Sequence, residues 1–248
     1  MVVLSVTGVK MIKPLAVCMS VRDFPIAWYW LKRACKVNNV DLLVVKYYPH
    51  HIAHEKARKF FLKHKEYTHF IIVNEDCIIT DAHLRLLLED IEKYGYDVIG
   101  GYVFPYSLRY PTTNLTDKDL SKIRVVSANQ YDFWTLEKII TMNMDEPLKK
   151  MYFNGLTLTS ISRKIIEKIE FKPYKYILDS ALGKLMRRGI MFDVQFSNTL
   201  RELGIPFYVD LRLMVIHFGN TRKYINLRGK KSYCKLVKPD GKEKLVRV

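Results

Sequence analysis

Two adjacent carboxylates, Glu75 and Asp76, directly follow an apolar run and are preceded by Asn74. Carboxylates at the end of a buried strand repel each other and lose their hydration unless a cation or hydrogen-bond donors meet them. Their oxygen atoms are the ligands that hard divalent cations prefer. Acidic residues at a strand end are also common caps of the following helix. The segment therefore predicts either a divalent metal site or a capped turn.

The elements around this segment alternate between apolar strands and amphipathic helices. Such repetition predicts a single-domain α/β fold with a mixed, mostly parallel central sheet and helices on both faces. Ligands of these sheets bind beyond the carboxyl ends of the strands, which is where Glu75 and Asp76 fall. The pattern degrades between 105 and 150, where we expect an insertion or lid region. Strand-like runs before that region cover 15–19, 40–48, 69–74 and 96–104.

Local signals predict several element ends. Either Thr80 or Asp81 is expected to cap the helix after the carboxylates, and Gly95 is expected to end it. We expect 220–248 to form a basic C-terminal extension with a hairpin that turns at 239–241, where Pro, Asp and Gly follow one another.

Charge and cysteine content narrow the possible partners and compartment. The 248 residues contain 41 Lys and Arg against 25 Asp and Glu, a formal net charge of +16, which attracts polyanions, anionic membranes or phosphorylated small molecules. The four cysteines have no C-x-x-C spacing, so neither a zinc site nor a disulfide framework is predicted, and a cytoplasmic location is expected. No apolar run approaches the roughly 20 residues that cross a bilayer, so any membrane contact is expected to be peripheral.

The segment 70–104 resembles the central part of GT-A fold, nucleotide-sugar-dependent glycosyltransferases. In that family a hydrophobic strand ends in a D-x-D motif, a helix follows, and the chain returns in a strand like DVIGG here. Asn74 stands where the family has its first Asp, so the motif is degenerate. With the segments described next, the resemblance runs from Pro14 to Gly219 and implies a GT-A (Rossmann-like) glycosyltransferase domain over 1–219.

Two further segments are similar to the family in the expected order. FNGLTLTSISRKIIEKI is similar to the strand that lines the sugar site, and it offers Asn154 and Gly155. MFDVQFSNTLRELGIPFYVDLRLMVIHFG is similar to the stretch that ends in the family's histidine, with Asp193 and His217 at matching places. Phe192 stands where the family has an acidic residue before Asp193.

The resemblance implies a site for a nucleotide-diphosphate sugar and a divalent cation. Asp76 and His217 would hold the metal, Mn²⁺ or Mg²⁺, and an imidazole ligand suits Mn²⁺ better. The cation would neutralise the charge of the leaving diphosphate. A buried structural role is the alternative for His217. The implied contacts with the donor come from Ser20, Arg22, Asn74, Glu75, Asn154 and Gly155.

Asp193 is the residue that the resemblance identifies as the general base. In an inverting transfer it would remove the proton from the acceptor hydroxyl. Capping of its own helix is the alternative role. Asp179 is a second candidate for the same base.

Three functions fit these observations. The first is a metal-dependent, inverting glycosyltransferase that uses a nucleotide sugar and a glycan, protein or lipid acceptor. The second is a nucleic-acid- or polyanion-binding protein on a transferase-like fold, which the net charge and the basic segment RKYINLRGKKSY favour. The third is a catalytically silent family member, which Asn74 and Phe192 favour. The basic tail also suits a peripheral contact with an anionic membrane.

Overall fold

A computed structural model describes 12–20, 24–48, 50–105, 124–128, 133–135, 138–139, 141–142, 144–171, 192–217 and 230–247. The candidates Arg22 and Asp179 lie outside these residues, as does much of the predicted insertion and of the basic tail. Five helices have bounds within the described residues: α1 Pro25–Val37, α2 His50–Lys63, α3 Asp81–Tyr94, α4 Arg163–Ile166 and α5 Phe192–Glu202.

Thirteen strands alternate with these helices in the described part of the chain. The first seven are β1 Pro14–Ser20, β2 Asp41–Lys46, β3 His69–Asn74, β4 Cys77–Ile78, β5 Val98–Pro105, β6 Arg124–Ala128 and β7 Phe133–Thr135. The other six are β8 Leu148–Met151, β9 Phe153–Asn154, β10 Leu158–Ser162, β11 Phe207–His217, β12 Tyr233–Val237 and β13 Glu243–Val246.

Ten strands form one mixed sheet in the order β13-β12-β2-β1-β3-β10-β5-β11-β4, with β8 paired to β11. Strands β2, β1 and β3 are parallel, β5 and β11 are parallel, and β10 runs antiparallel between β3 and β5. The five strands β2, β1, β3, β5 and β11 therefore point the same way, and their ends define the carboxyl edge of the sheet. The predicted α/β architecture is confirmed. The carboxyl edge carries Lys46, Ser20, Asn74, Pro105 and His217.

Helices cover both faces of this sheet, as predicted. Alternate residues of β1 pack in opposite directions: Leu15 and Val17 join the cluster that includes α2, α4 and α5, whereas Ala16 and Cys18 join the cluster that includes α1 and α3. This period of two is what a strand buried on both faces requires. No helix in the described part of the chain is both long and apolar enough to span a membrane.

The ends of α3 follow the local signals in the sequence. Thr80 is the N-cap, because its hydroxyl accepts a hydrogen bond from the backbone N–H of His83 at 3.3 Å. Gly95 follows the last turn with a φ of 62°, the left-handed conformation that glycine adopts without strain. Both predicted ends are thus confirmed, and α3 begins five residues after the Asp76 turn.

The C-terminal hairpin extends the main sheet. Strands β12 and β13 pair antiparallel across a turn in which Gly241 has a φ of 86°. Strand β12 also pairs antiparallel with β2, so residues 233–237 lie beside 42–46. A separate three-stranded sheet, β7-β6-β9, forms from described parts of the region around the predicted insertion.

An irregularity in β11 reverses which side chains face each helical layer. The pairing of β11 with β5 shifts register between Val209 and Met214. In a regular strand, residues two or four apart face the same side. Here Val209 packs on the α2 side before the shift, whereas Leu213 and Val215 pack on the α1 and α3 side after it. Bulges of this kind commonly redirect side chains near functional sites. The shift therefore sets the face on which His217 emerges.

Gly101 on β5 accommodates this irregular backbone. A Cβ atom at Gly101 would lie 2.6 Å from the carbonyl oxygen of Leu213 and 3.0 Å from its Cβ. The first of these contacts is closer than real Cβ atoms make and involves backbone, so a side chain would force β5 and β11 apart.

We expect Gly101→Ala to lower the free energy of unfolding by about 2 kcal/mol, because overpacking displaces backbone rather than a flexible side chain. Urea denaturation followed by circular dichroism measures the change. Gly95→Ala is the control, since it meets no atom within 4 Å and costs only the positive φ, about 1 kcal/mol. A smaller loss for Gly101→Ala than for Gly95→Ala would show that β11 does not need the glycine.

Buried charge links α3 to the irregular part of β11. Asp90 and Asp210 are almost fully buried, and Arg212 bridges them. Its Nη2 donates to Asp90 Oδ1 at 2.6 Å and to Asp210 Oδ2 at 2.7 Å.

Burial, followed by the hydrogen bond and the charge of Asp210, raises the pKa of Asp90 to about 7. The hydrogen bonds from Arg212 and Asp90 lower the pKa of Asp210, although burial opposes them. The pair therefore holds one proton near neutral pH.

Candidate metal and nucleotide site

A two-residue strand brings the acidic turn beside the end of β11. The chain leaves β3 at Asn74, turns through Glu75 and Asp76, and enters β4. Strand β4 pairs antiparallel with the end of β11, which places Cys77 opposite His217. Asp76 is thereby held at the carboxyl edge next to a histidine that is distant in sequence.

Asp76 and His217 meet directly. His217 Nε2 lies 3.1 Å from Asp76 Oδ2, and the two side chains are 28% and 15% exposed. The thiol of Cys77 donates to Asp76 Oδ1 at 3.8 Å. One ligand atom from each of these three side chains lies within 4.8 Å of the others. We call these three residues the edge cluster.

The edge cluster has the spacing of ligands that share one cation. Oxygen and nitrogen ligands at about 2.1 Å from a metal lie about 3.0–3.4 Å from each other at angles between square and tetrahedral. The observed 3.1 Å therefore needs little rearrangement for Asp76 and His217 to bind the same ion. The donor types are carboxylate, imidazole and thiol, which suit Mn²⁺ or Zn²⁺ better than Mg²⁺, because Mg²⁺ prefers oxygen ligands.

Local electrostatics disfavour further negative charge at this edge. Burial, and then the charges of Asp76 and Cys18, raise the pKa of the Cys77 thiol well above its ordinary value. Burial, followed by the charge of Glu75, likewise raises the pKa of the Cys18 thiol. Both thiols are therefore neutral at physiological pH. A bound cation would offset the same negative potential.

The remaining residues of the acidic turn divide between the interior and the edge. Glu75 is buried, with 6% of its surface exposed, and Asn74 is half-buried. The Asn74 side-chain amide donates to the hydroxyl of Thr157 at 3.3 Å. Thr157 is itself buried and also hydrogen-bonds the Cys77 thiol. Thr157 thus links Asn74, which stands where the motif has its first Asp, to Cys77 of the edge cluster.

The predicted donor-binding residues lie at two places in the fold. Ser20 is buried at the end of β1, and its carbonyl accepts from the backbone N–H of Tyr47 at 2.9 Å. Asn154 is buried on β9 of the three-stranded sheet, and its side-chain amide donates to the carbonyl of Gly101 on β5 at 2.8 Å. Gly155 begins the turn to β10, and its carbonyl accepts from the Thr157 backbone N–H at 2.9 Å. Asn154 therefore positions the turn that carries Gly155 and Thr157.

The predicted base, Asp193, is half-buried in the first turn of α5. A tight connection joins α5 to β11, with Ile205 N–H donating to the Leu200 carbonyl at 2.8 Å. Three residues after Asp193, Phe196 packs edge-on against Phe207 at the start of β11, with ring centres 6.2 Å apart.

Two residues of this site, Cys77 and Thr157, were not predicted from the sequence. The cysteine spacing predicted no zinc site, whereas Cys77 lies within the edge cluster, whose ligand atoms are close enough to share a cation. The absence of C-x-x-C spacing does not reveal this cluster, because Cys77 meets its neighbour Asp76 and the distant His217 rather than a second cysteine. Thr157 was not predicted because it lies in a run that alternates Leu with Thr, and the sequence does not show which of these hydroxyls meets the edge cluster.

Comparison with known proteins supports the fold. No protein-family model and no curated protein matches this chain. The crystal structure of A197 from STIV is similar over 96% of this chain and 95% of that chain, with 19% identity and a TM-score of 0.53. At this identity the similarity shows a shared fold only.

Two weaker structural matches have TM-scores below 0.5. CMP:2-keto-3-deoxy-manno-octonic acid synthetase complexed with CTP is 14% identical, with 82% of this chain and 90% of that chain covered and a TM-score of 0.46. The inositol-1-phosphate CTP transferase from T. maritima is 11% identical, with 84% and 90% covered and a TM-score of 0.42.

Proposed function

We propose that this protein is a metal-dependent transferase that moves a sugar from a nucleotide-diphosphate donor to an acceptor hydroxyl with inversion. The observation that supports this most strongly is the 3.1 Å approach of His217 Nε2 to Asp76 Oδ2 at the carboxyl edge of a mostly parallel sheet. Ligands of such sheets bind at this edge.

Asp76 and His217 would hold the cation, which when bound supplies positive charge to the leaving diphosphate. Cys77 lies close enough to contribute a sulfur ligand or to fix the Asp76 carboxylate through its thiol. The nitrogen and sulfur donors favour Mn²⁺ over Mg²⁺.

The nucleotide would lie along the ends of β1 and β3. Ser20 and Asn74 terminate these two adjacent strands, and their backbones are fixed by strand pairing. The Asn74 side chain can offer its carbonyl oxygen to a sugar hydroxyl while its amide donates to Thr157. We propose Asp193 as the group that accepts the proton of the acceptor hydroxyl. The four free, buried cysteines support a cytoplasmic location.

We expect one member of a panel of nucleotide sugars to release nucleoside diphosphate when incubated with the protein and Mn²⁺. Release should be faster with Mn²⁺ than with Mg²⁺, because imidazole and thiol are poor Mg²⁺ ligands, and EDTA should abolish it. A coupled assay for nucleoside diphosphate measures the rate. Release that EDTA leaves unchanged would contradict metal dependence, and the absence of release or binding with every donor would contradict the transfer reaction.

A further inference from the structure

A groove runs between α1 and the C-terminal hairpin on the α1 face of the sheet. Two adjoining cavities of about 760 and 220 Å³ share Trp28, Lys32 and Val237 in their walls. Strands β2 and β12 form the floor, and the hairpin turn at 238–243 forms the far lip. We call this surface the α1–hairpin groove.

The lining of this groove is strongly basic. Among the described residues that line it, the one carboxylate is Glu243, which accepts from Lys235 at 2.6 Å and lies 3.7 Å from Lys32. Two carboxylates lie just outside the lining: Asp81 pairs with Arg33, and Asp41 pairs with Lys238. Cations therefore remain in excess along its whole length, which suits an extended polyanion. The cations that line it are Lys32, Arg33, Lys36, Lys46, Lys235 and Lys238.

Aromatic rings are interleaved with these cations. Lys46 Nζ lies 6.0 Å from the centre of the Trp28 ring and 5.3 Å from that of Tyr47. The rings of Tyr47 and Tyr233 meet edge-on at 6.2 Å. Tyr29 is 60% exposed on the α1 rim. Alternating rings and cations are the feature by which proteins hold single-stranded nucleic acid, since rings stack on bases while cations meet phosphates.

Two observations mark the groove as more than a solvated basic face. The buried indole N–H of Trp28 has no hydrogen-bond acceptor among the described residues, and an unmet donor of this kind is costly. Tyr47 has a φ of 62°, a conformation that is strained for an aromatic residue. Its backbone is held there by Ser20 and by the hydroxyl of Ser232. This backbone places the Tyr47 ring between Lys46 and Lys230.

We propose that the α1–hairpin groove binds single-stranded nucleic acid. The concave shape suits a single strand better than a membrane surface, which a protein meets with a protruding apolar face. A duplex hides the faces of its bases and cannot stack on Trp28, Tyr29 or Tyr233. The proposal is independent of sugar transfer, because it uses neither the edge cluster nor Asp193.

The test measures anisotropy of a fluorescent single strand of roughly 12 nucleotides, as DNA and as RNA, in EDTA so that no metal contributes. We expect affinity to fall steeply between about 50 and 200 mM salt. Lys32→Glu with Lys36→Glu should weaken binding at least about tenfold, because two phosphate contacts become repulsive. Tyr29→Ala should weaken it about fivefold without changing the salt dependence, because it removes stacking only.

The chain offers a closely matched control on the other face of the sheet. Lys59 and Lys63 are exposed on α2 with the same four-residue spacing, and Lys63, like Lys36, lies in the last helical turn. Their double replacement by Glu changes the net charge equally and should leave affinity within about twofold. If both double variants lose affinity equally, the effect comes from net charge rather than from the groove, and the proposal is overturned. Equal or tighter binding of a duplex, or preferential binding of anionic phosphatidylserine vesicles, would also overturn it.

Discussion

Asp76→Asn should abolish the Mn²⁺-dependent binding of nucleoside diphosphate and lower the rate of donor cleavage by about 10²–10³-fold. The amide has the shape of the carboxylate but neither its charge nor its affinity for a cation. His217 also loses the partner that lies 3.1 Å away. Because the Asp76–His217 pair is partly exposed, its loss should cost less than about 1 kcal/mol of stability. Isothermal titration of nucleoside diphosphate with and without Mn²⁺ measures the binding, and the coupled assay measures the rate.

Asp193→Asn is the matched control for this prediction. It removes the same charge from a residue proposed to act on the acceptor, so turnover should fall while Mn²⁺-linked nucleotide binding stays within about twofold. If Asp76→Asn retains Mn²⁺-linked binding, the cation is held elsewhere. If Asp193→Asn loses binding as fully as Asp76→Asn does, the division of roles between the two carboxylates is wrong.

Arg212→Met should lower the free energy of unfolding by about 3–4 kcal/mol at about pH 8. The replacement leaves Asp90 and Asp210 buried without the cation they share, and in the wild type both carboxylates are ionised at that pH. The loss should shrink toward about pH 5, where Asp90 is protonated and less negative charge remains buried. Urea denaturation at both pH values measures it. Arg85→Met is the control on α3, because Arg85 lies 3.9 Å from Glu89 in an exposed pair worth less than about 0.5 kcal/mol. A loss as small as the control's would show that the carboxylates need no cation.

The same cluster gives the wild type a pH dependence of definite sign. The folded-state pKa of Asp90 is raised to about 7, so between about pH 4 and 7 the folded chain keeps a proton that the unfolded chain has lost. The contribution of Asp90 to the free energy of unfolding is thus complete at low pH and is lost as the pH rises through 7. Burial lowers the pKa of His69 to about 4, so the contribution of His69 to stability increases as the pH rises, opposite to that of Asp90. The wild type should therefore lose stability relative to Asp90→Asn as the pH rises from about 5 to 7. A constant difference would contradict the shared proton.

The features predicted from sequence are those set by neighbouring residues. The end of α3 is one case, since Gly95 acts through its own φ and the preceding turn. The acidic turn at the carboxyl edge is another, because it follows from one apolar strand and the helix behind it. The C-terminal hairpin was likewise predicted from the turn residues at 239–241.

The features that sequence did not predict depend on pairing between distant segments. The segment that contains β10 was expected to form a strand from the family resemblance, but its antiparallel insertion between β3 and β5 is decided by both partners. The pairing of Cys77 with His217 involves only a two-residue strand, too short for any periodicity. The register shift in β11 also has no local signal, although Gly101 provides the space for it. For this reason the roles of Cys77, Thr157 and the α1–hairpin groove emerged only from the structure.

Anomalous diffraction at the manganese edge, from crystals grown with Mn²⁺ and the nucleoside diphosphate, tests the central claim most directly. We predict one strong peak about 2.0–2.3 Å from both Asp76 Oδ2 and His217 Nε2, with diphosphate oxygens completing the coordination. A nucleotide bound at the carboxyl edge with its manganese away from Asp76 and His217 would contradict this metal site. A nucleotide bound elsewhere in the fold would contradict the proposed function.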